Sequence, residues 1–208
     1  MQHTPDYLKP YQDAVDTHGG TFEATLWISK KYQIVRFKTF CDFVDFNDQT
    51  ILDVGCGIGD FAQYLIDSKI SFQSFHGLDA MKEMIETASN RNLERSSFSA
   101  IDIVNRTDVL GGYDWITISG TLNAMDEVVA RKLIDSCFEA CKKGVAFNFL
   151  SDRSGRDSIT EDLSPASRFN TLSFIDNALR LSPFVEFTQT YLDGHDATIV
   201  IKKHEIPQ

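Results

Sequence analysis

The sequence predicts an α/β fold: a doubly wound, mostly parallel seven-stranded sheet with an antiparallel last strand, preceded by an N-terminal helical lid. Three observations predict it. From residue 50 onward, short apolar runs alternate with stretches of helical periodicity, the pattern of a parallel sheet covered on both faces. The first of those runs leads into glycines at alternate positions and then into a helix. The chain closes with two β-rich runs around Asp193-Gly194, a hairpin signal.

The elements follow in order. Residues 4–18 read as a helix with Tyr7, Leu8, Tyr11 and Val15 on one side, ended by His18-Gly19-Gly20. A second helix is expected over 31–44, where Ile34, Phe37, Phe40, Cys41 and Val44 recur at three- and four-residue spacing. Strands are expected at 50–54, 74–78, 97–100, 113–119 and 144–150, with helices at 58–68, 80–91 and 126–142 between them. A helix at 171–181 precedes the closing runs, 184–192 and 197–202. We divide the chain into a lid and substrate segment, residues 1–45, and a ligand-binding domain, residues 46–208.

Composition narrows the function classes. The length of 208 residues suits one domain with a small addition, and 42% hydrophobic with 24% charged residues is ordinary for a globular chain. Sixteen phenylalanines, several of them before residue 50 and after 168, give both flanks core-forming material. A net charge of −10 with only short basic pairs argues against a nucleic-acid track. No apolar run reaches the roughly 20 residues of a spanning helix, and the first residues do not read as a secretory signal. Cys41, Cys56, Cys137 and Cys141 form no metal-ligand pattern, so no metal is expected and a reducing cytoplasmic setting is.

The strongest local signal is ILDVGCGIGDF, residues 51–61. Gly55 permits a tight turn, Gly57 lets the backbone approach a ligand, and Gly59 lets the helix pack near the strand. A dinucleotide fingerprint needs its third glycine one position later, where this chain has Asp60. A carboxylate there would repel a pyrophosphate, whereas a sulfonium with an amino-acid tail carries no phosphate. Asp79, twenty residues past Gly59 at the end of the second strand, can accept both hydroxyls of a ribose or cap the following helix. Asp102, just past the third strand, can accept from an adenine amine with Ile103 against the ring, or stand as a surface acid.

LDVGCGIGDF (52–61), GLDAM (77–81), AID (100–102) and YDWITISGTLN (113–123) resemble the class I S-adenosylmethionine-dependent methyltransferases, whose fold is Rossmann-like. The resemblance spans about 50–203. It implies S-adenosylmethionine as cofactor, S-adenosylhomocysteine as product, and a methyl transfer. It places Gly55, Cys56 and Gly57 beside the methionine part, Asp53 at its amino group and Asp79 on the ribose. Ala80 and Met81 then lie near adenine, Asp102 and Ile103 at its edge, and Ser119 and Gly120 at the boundary with the acceptor. HGGTFEATLWISKKYQIVRF (18–37) further resembles a group of small bacterial methyltransferases, and Arg36 is placed at the methionine carboxylate or on the surface.

The fourth-strand motif Ser119-Gly120-Thr121-Leu122 is not the Asn/Asp-Pro-Pro-aromatic signature of base amino methylation. A small-molecule acceptor, methylated at O or N, is therefore expected, with no nucleic-acid or membrane partner. His18 is the leading candidate base, or alternatively a helix-end histidine. Tyr11 and Trp27 are candidates for the acceptor wall, and Asn123 and Asn148 for polar groups facing the site. His76 and His195 read as structural. Arg153, Arg156 and Arg168 lie in or beside a polar loop that would bind an anionic group or face solvent. A non-catalytic cofactor- or partner-binding protein and a nucleotide-cofactor oxidoreductase are the competing readings.

Overall fold

The computed structural model describes residues 4–154 and 165–204. The strands are β1 Thr50–Val54, β2 Ser74–Asp79, β3 Ser96–Ala100, β4 Trp115–Ile118, β5 Gly144–Leu150, β6 Phe184–Thr188 and β7 Asp196–Lys202. They form one sheet in the order β3-β2-β1-β4-β5-β7-β6. The pairings β3-β2-β1-β4-β5 are parallel, and β7 runs antiparallel to both β5 and β6. The helices are α1 Lys9–His18, α2 Lys30–Phe43, α3 Asp60–Asp67, α4 Lys82–Asn90, α5 Glu127–Ala140 and α6 Thr171–Leu181.

The central strands are apolar on both faces because helices cover both. β4 and β5 are buried along their whole length. Leu52, Val54, Ile116 and Ile118 pack with Leu133, Ile134 and Cys137 of α5 and Phe174 of α6. The alternate side chains Ile51, Phe75, Trp115 and Ala146 pack with Phe61 and Leu65 of α3 and with Phe37 and Phe40 of α2. Tilted and edge-on contacts among Phe37, Phe40, Phe46, Phe61 and Phe75 fill this second layer.

Three expectations change. The division at residue 45 puts α2 in the lid, but its phenylalanines share a core with the sheet; only the segment up to about Ser29 lies outside that layer. The first helix begins at Lys9 rather than residue 4, because Pro10 has no N–H and clashes with a preceding turn, so it fits only the first turn. Asp193-Gly194 is not a two-residue hairpin turn. β6 stops at Thr188, and Leu192, Asp193 and Gly194 all take positive φ (48°, 53° and 74°) in a longer connection. Gln189 Nε2 closes that connection on the Gly194 carbonyl at 2.8 Å. All four cysteines are free, and Cys56, Cys137 and Cys141 are buried.

Candidate active site

A cleft opens beyond the carboxyl ends of β1, β2 and β4. The chain leaves β1 toward neighbours on opposite sides, β2 and β4, so this is the switch point where open α/β sheets bind ligands. Most of the residues singled out in the sequence meet there.

Asp53, the penultimate residue of β1, is 3% exposed and lines the cleft. Thr117 Oγ1 on β4 donates to its Oδ1 at 2.7 Å. Burial pushes the carboxyl up to about 7; the Thr117 bond opposes the shift and the nearby Asp79 carboxylate adds to it. Asp79 ends β2, and its two oxygens accept the N–H groups of Gly57 and Met81, each at 2.9 Å. Burial raises its pKa while those amides oppose the shift. A ribose-type diol would therefore meet an acid already fixed in place by backbone donors.

Gly55 has φ +74°, and a Cβ on it would lie 2.0 Å from Thr121 Oγ1. That hydroxyl donates to the Val54 carbonyl at 3.0 Å, so the turns after β1 and β4 interlock. Gly57, at φ +53°, has only Thr25 Cγ2 within reach, at 3.5 Å, which leaves its backbone open toward a ligand. Cys56 lines the same stretch, its thiol raised well above the usual range by burial.

Asp102 and Ile103 line the far end with Ala80 and Met81. Asp102 is not a free surface acid. Tyr7 donates its hydroxyl to the carboxylate at 2.8–2.9 Å, and Asn105 Nδ2 donates at 2.7 Å. One helical turn later Tyr11 also lines the cleft, its phenol pushed up to about 12 by burial and the neighbouring Asp79. At the near end, Asn148 holds the turn after β4: its Oδ1 accepts from Gly120 N at 2.9 Å and its Nδ2 donates to Ser119 Oγ at 3.1 Å. Trp27 lies against that turn, its ring 2.5 Å from where a Cβ on Gly120 would stand.

Several candidates are placed elsewhere. His18 is exposed at the last residue of α1 and does not line the cleft, because the chain turns back at Gly19-Gly20 and packs on α4 instead. No histidine among the described residues lines it. Arg36 is buried but committed: its guanidinium pairs with Asp196, itself fully buried on β7, and stacks on Trp27 at 4.2 Å. It supports the wall from outside instead of reaching a methionine carboxylate. Gly59 sits beneath the Phe98 ring, 2.9 Å from its would-be Cβ, as a packing glycine outside the cleft. Asn123 accepts from Leu150 N at 3.0 Å and positions β5. His76 bonds Ser97 Oγ at 2.7 Å, and His195 bonds Asp196 at 3.0 Å. Arg156 lies outside the described residues.

Sequence reasoning missed Thr25, Gln33 and Thr121 in the cleft, and the Tyr7–Asp102 bond. Tyr7 had one signal, since a tyrosine on an apolar helix face needs a partner for its hydroxyl. Gln33 had none: it stands among residues of ordinary helical spacing.

Asp53, Asp79 and Asp102 line the cleft, as does Asp60, which is paired with Arg91 at 2.7 Å, and no Lys, Arg or His among the described residues lines it. Such a lining suits a cationic ligand and repels a pyrophosphate. Residues 51–144 match the family model described as a methyltransferase domain. Over those residues the chain is similar to a methyltransferase domain, and its sheet has a Rossmann-like strand order. Solved structures share the fold. Magnesium protoporphyrin IX methyltransferase from Synechocystis PCC 6803 with SAH bound is 13% identical over 95% of this chain and 94% of its own, with a TM-score of 0.66. A SAM-dependent methyltransferase from Archaeoglobus fulgidus is 16% identical over 84% and 95%, with a TM-score of 0.67. The DhpI-SAM-HEP complex is 12% identical over 96% and 99%, with a TM-score of 0.71. No curated protein matches the chain in sequence. Among the described residues, no helix is long and apolar enough to cross a membrane and no cluster could hold a metal ion.

Proposed function

We propose that this methyltransferase transfers the methyl group of S-adenosylmethionine to oxygen or nitrogen of a small molecule in the cytoplasm. The observation that carries the reading is the division of one cleft: fixed acids and open backbone at the β1 and β2 ends, and an aromatic wall at the β4 end.

The residues present fit the cofactor. Asp53, buried and held up to about 7, gains from a cation such as the methionine ammonium. Gly55, Cys56 and Gly57 run beside the methionine part, Asp79 accepts the ribose hydroxyls, and Ala80, Met81, Asp102 and Ile103 frame adenine. When bound, the sulfonium supplies a methyl group on a neutral leaving thioether. The chain's task is alignment and the exclusion of water. Ser119 and Gly120, fixed by Asn148, define the boundary that the acceptor approaches in line. The segment ahead of Ser29, with Tyr7, Leu8, Tyr11 and Trp27 on the cleft, acts as the lid.

Calorimetric titration with S-adenosylmethionine, S-adenosylhomocysteine and NAD tests the reading. Micromolar binding of the two sulfur compounds with NAD silent supports it, and the reverse pattern overturns it.

A further inference from the structure

Among the described residues, Gln33 is the one side-chain amide that lines the cleft. It is 6% exposed and lines the cleft, yet its carboxamide makes no hydrogen bond among the described residues. Its amide nitrogen and oxygen are not sealed off from the cleft, so water or a ligand there is left to satisfy them. Its surroundings narrow what would satisfy it. Trp27, Phe37 (one helical turn along α2 from Gln33) and Met125 also line the cleft. Trp27 is fixed between the Arg36 guanidinium on its ring and the Gly120 backbone at its edge. The charge of Arg36 is neutralised by buried Asp196, so it offers an anion nothing.

Resting on the methyl-transfer reading, we propose that Gln33 selects the acceptor, and that the acceptor is an uncharged planar molecule. Its flat body stacks on Trp27, and an edge carrying adjacent donor and acceptor groups pairs with the Gln33 carboxamide. At the acceptor end no cation among the described residues lines the cleft to pair with a carboxylate or phosphate ester, which favours an uncharged acceptor. The carboxamide supplies one acceptor and two donors, so a cis-amide or lactam edge meets it with two hydrogen bonds.

The test uses the full chain saturated with S-adenosylhomocysteine and three probes of one shape: 2-quinolinone, 2-naphthol and 2-naphthoate. Binding is followed by Trp fluorescence and calorimetry. The expected result is that 2-quinolinone binds about tenfold more tightly than 2-naphthol, as two buried hydrogen bonds would give. The same reasoning expects 2-naphthoate to bind at least about tenfold more weakly than 2-naphthol. In Gln33→Leu and Gln33→Met the preference for the lactam disappears while 2-naphthol is unaffected. Both variants keep the wild-type affinity for S-adenosylhomocysteine. Naphthoate binding as tightly as the neutral probes, a lactam preference that survives in both variants, or no binding by any probe overturns the proposal. Loss of S-adenosylhomocysteine affinity in the variants also overturns it, by assigning Gln33 to the cofactor, and leaves the methyltransferase reading standing.

Discussion

With Asp53 at the methionine ammonium, as proposed, cofactor binding should depend on pH in a direction and amount that follow from its surroundings. Its carboxyl is buried at the end of β1 with a single hydroxyl donor, Thr117, and a second acid, Asp79, nearby, and its pKa rises to about 7. An unfolded aspartate titrates near about 3.9, so the folded state holds the proton longer. The contribution of Asp53 to folding stability is therefore fully present below about pH 4 and is lost as the pH rises through about 7. A cationic methionine ammonium reverses the balance by favouring the ionised form. Affinity for S-adenosylhomocysteine then rises about fivefold between pH 6 and pH 7 and levels off above, with about 0.9 proton released per ligand bound at pH 6. The ligand's own ammonium, on a free amino-acid tail, titrates above the range of a chain terminus and stays charged across this window. Calorimetry at pH 6.0, 6.5 and 7.0 in two buffers of different ionisation enthalpy measures both quantities. Asp53→Asn should bind with no slope. A wild-type affinity that is flat from pH 6 to 7, or a slope that persists in Asp53→Asn, would refute the assignment of Asp53 to the ammonium.

Three further outcomes are expected. Asp79→Ala removes a charged acceptor placed for a diol, and calorimetry should show at least about tenfold weaker S-adenosylhomocysteine binding. Gly55→Ala forces a side chain into a positive-φ turn and against Thr121, and should cost about 1–3 kcal/mol in denaturant unfolding, with a disturbed cofactor site. Asp196→Asn strands a buried guanidinium and should cost about 3–5 kcal/mol, or roughly 7–11 °C in melting temperature for 208 residues. The double variant Arg36→Met/Asp196→Leu should recover much of that loss, because it removes both buried charges.

The sequence by itself determined the architecture and the acids and glycines that meet at the cleft. Strands such as Trp115–Ile118 are buried on both faces and so read as unbroken apolar runs, and the glycine spacing after β1 reports a local backbone requirement. Asp53, Asp79 and Asp102 were legible for the same reason: each stands at or just past the end of a strand, where chain geometry alone points it at the switch point. Tertiary structure decided what depends on side chains distant in sequence. Arg36 and Asp196 are separated by 160 residues, and no local pattern shows that the arginine is consumed by a buried pair. The Tyr7 hydroxyl reaches Asp102 across 95 residues. Gln33 and Arg36 lie on one helix with the same local spacing, and which of them faces the cleft is set by how α2 packs its phenylalanines on the sheet. His18 left the site because Gly20 seats the following segment on α4, with Thr87 Oγ1 donating to its carbonyl at 2.7 Å. Position along a strand is a local property that the chain writes directly. The orientation of a helix about its axis is fixed only when its apolar face finds the core.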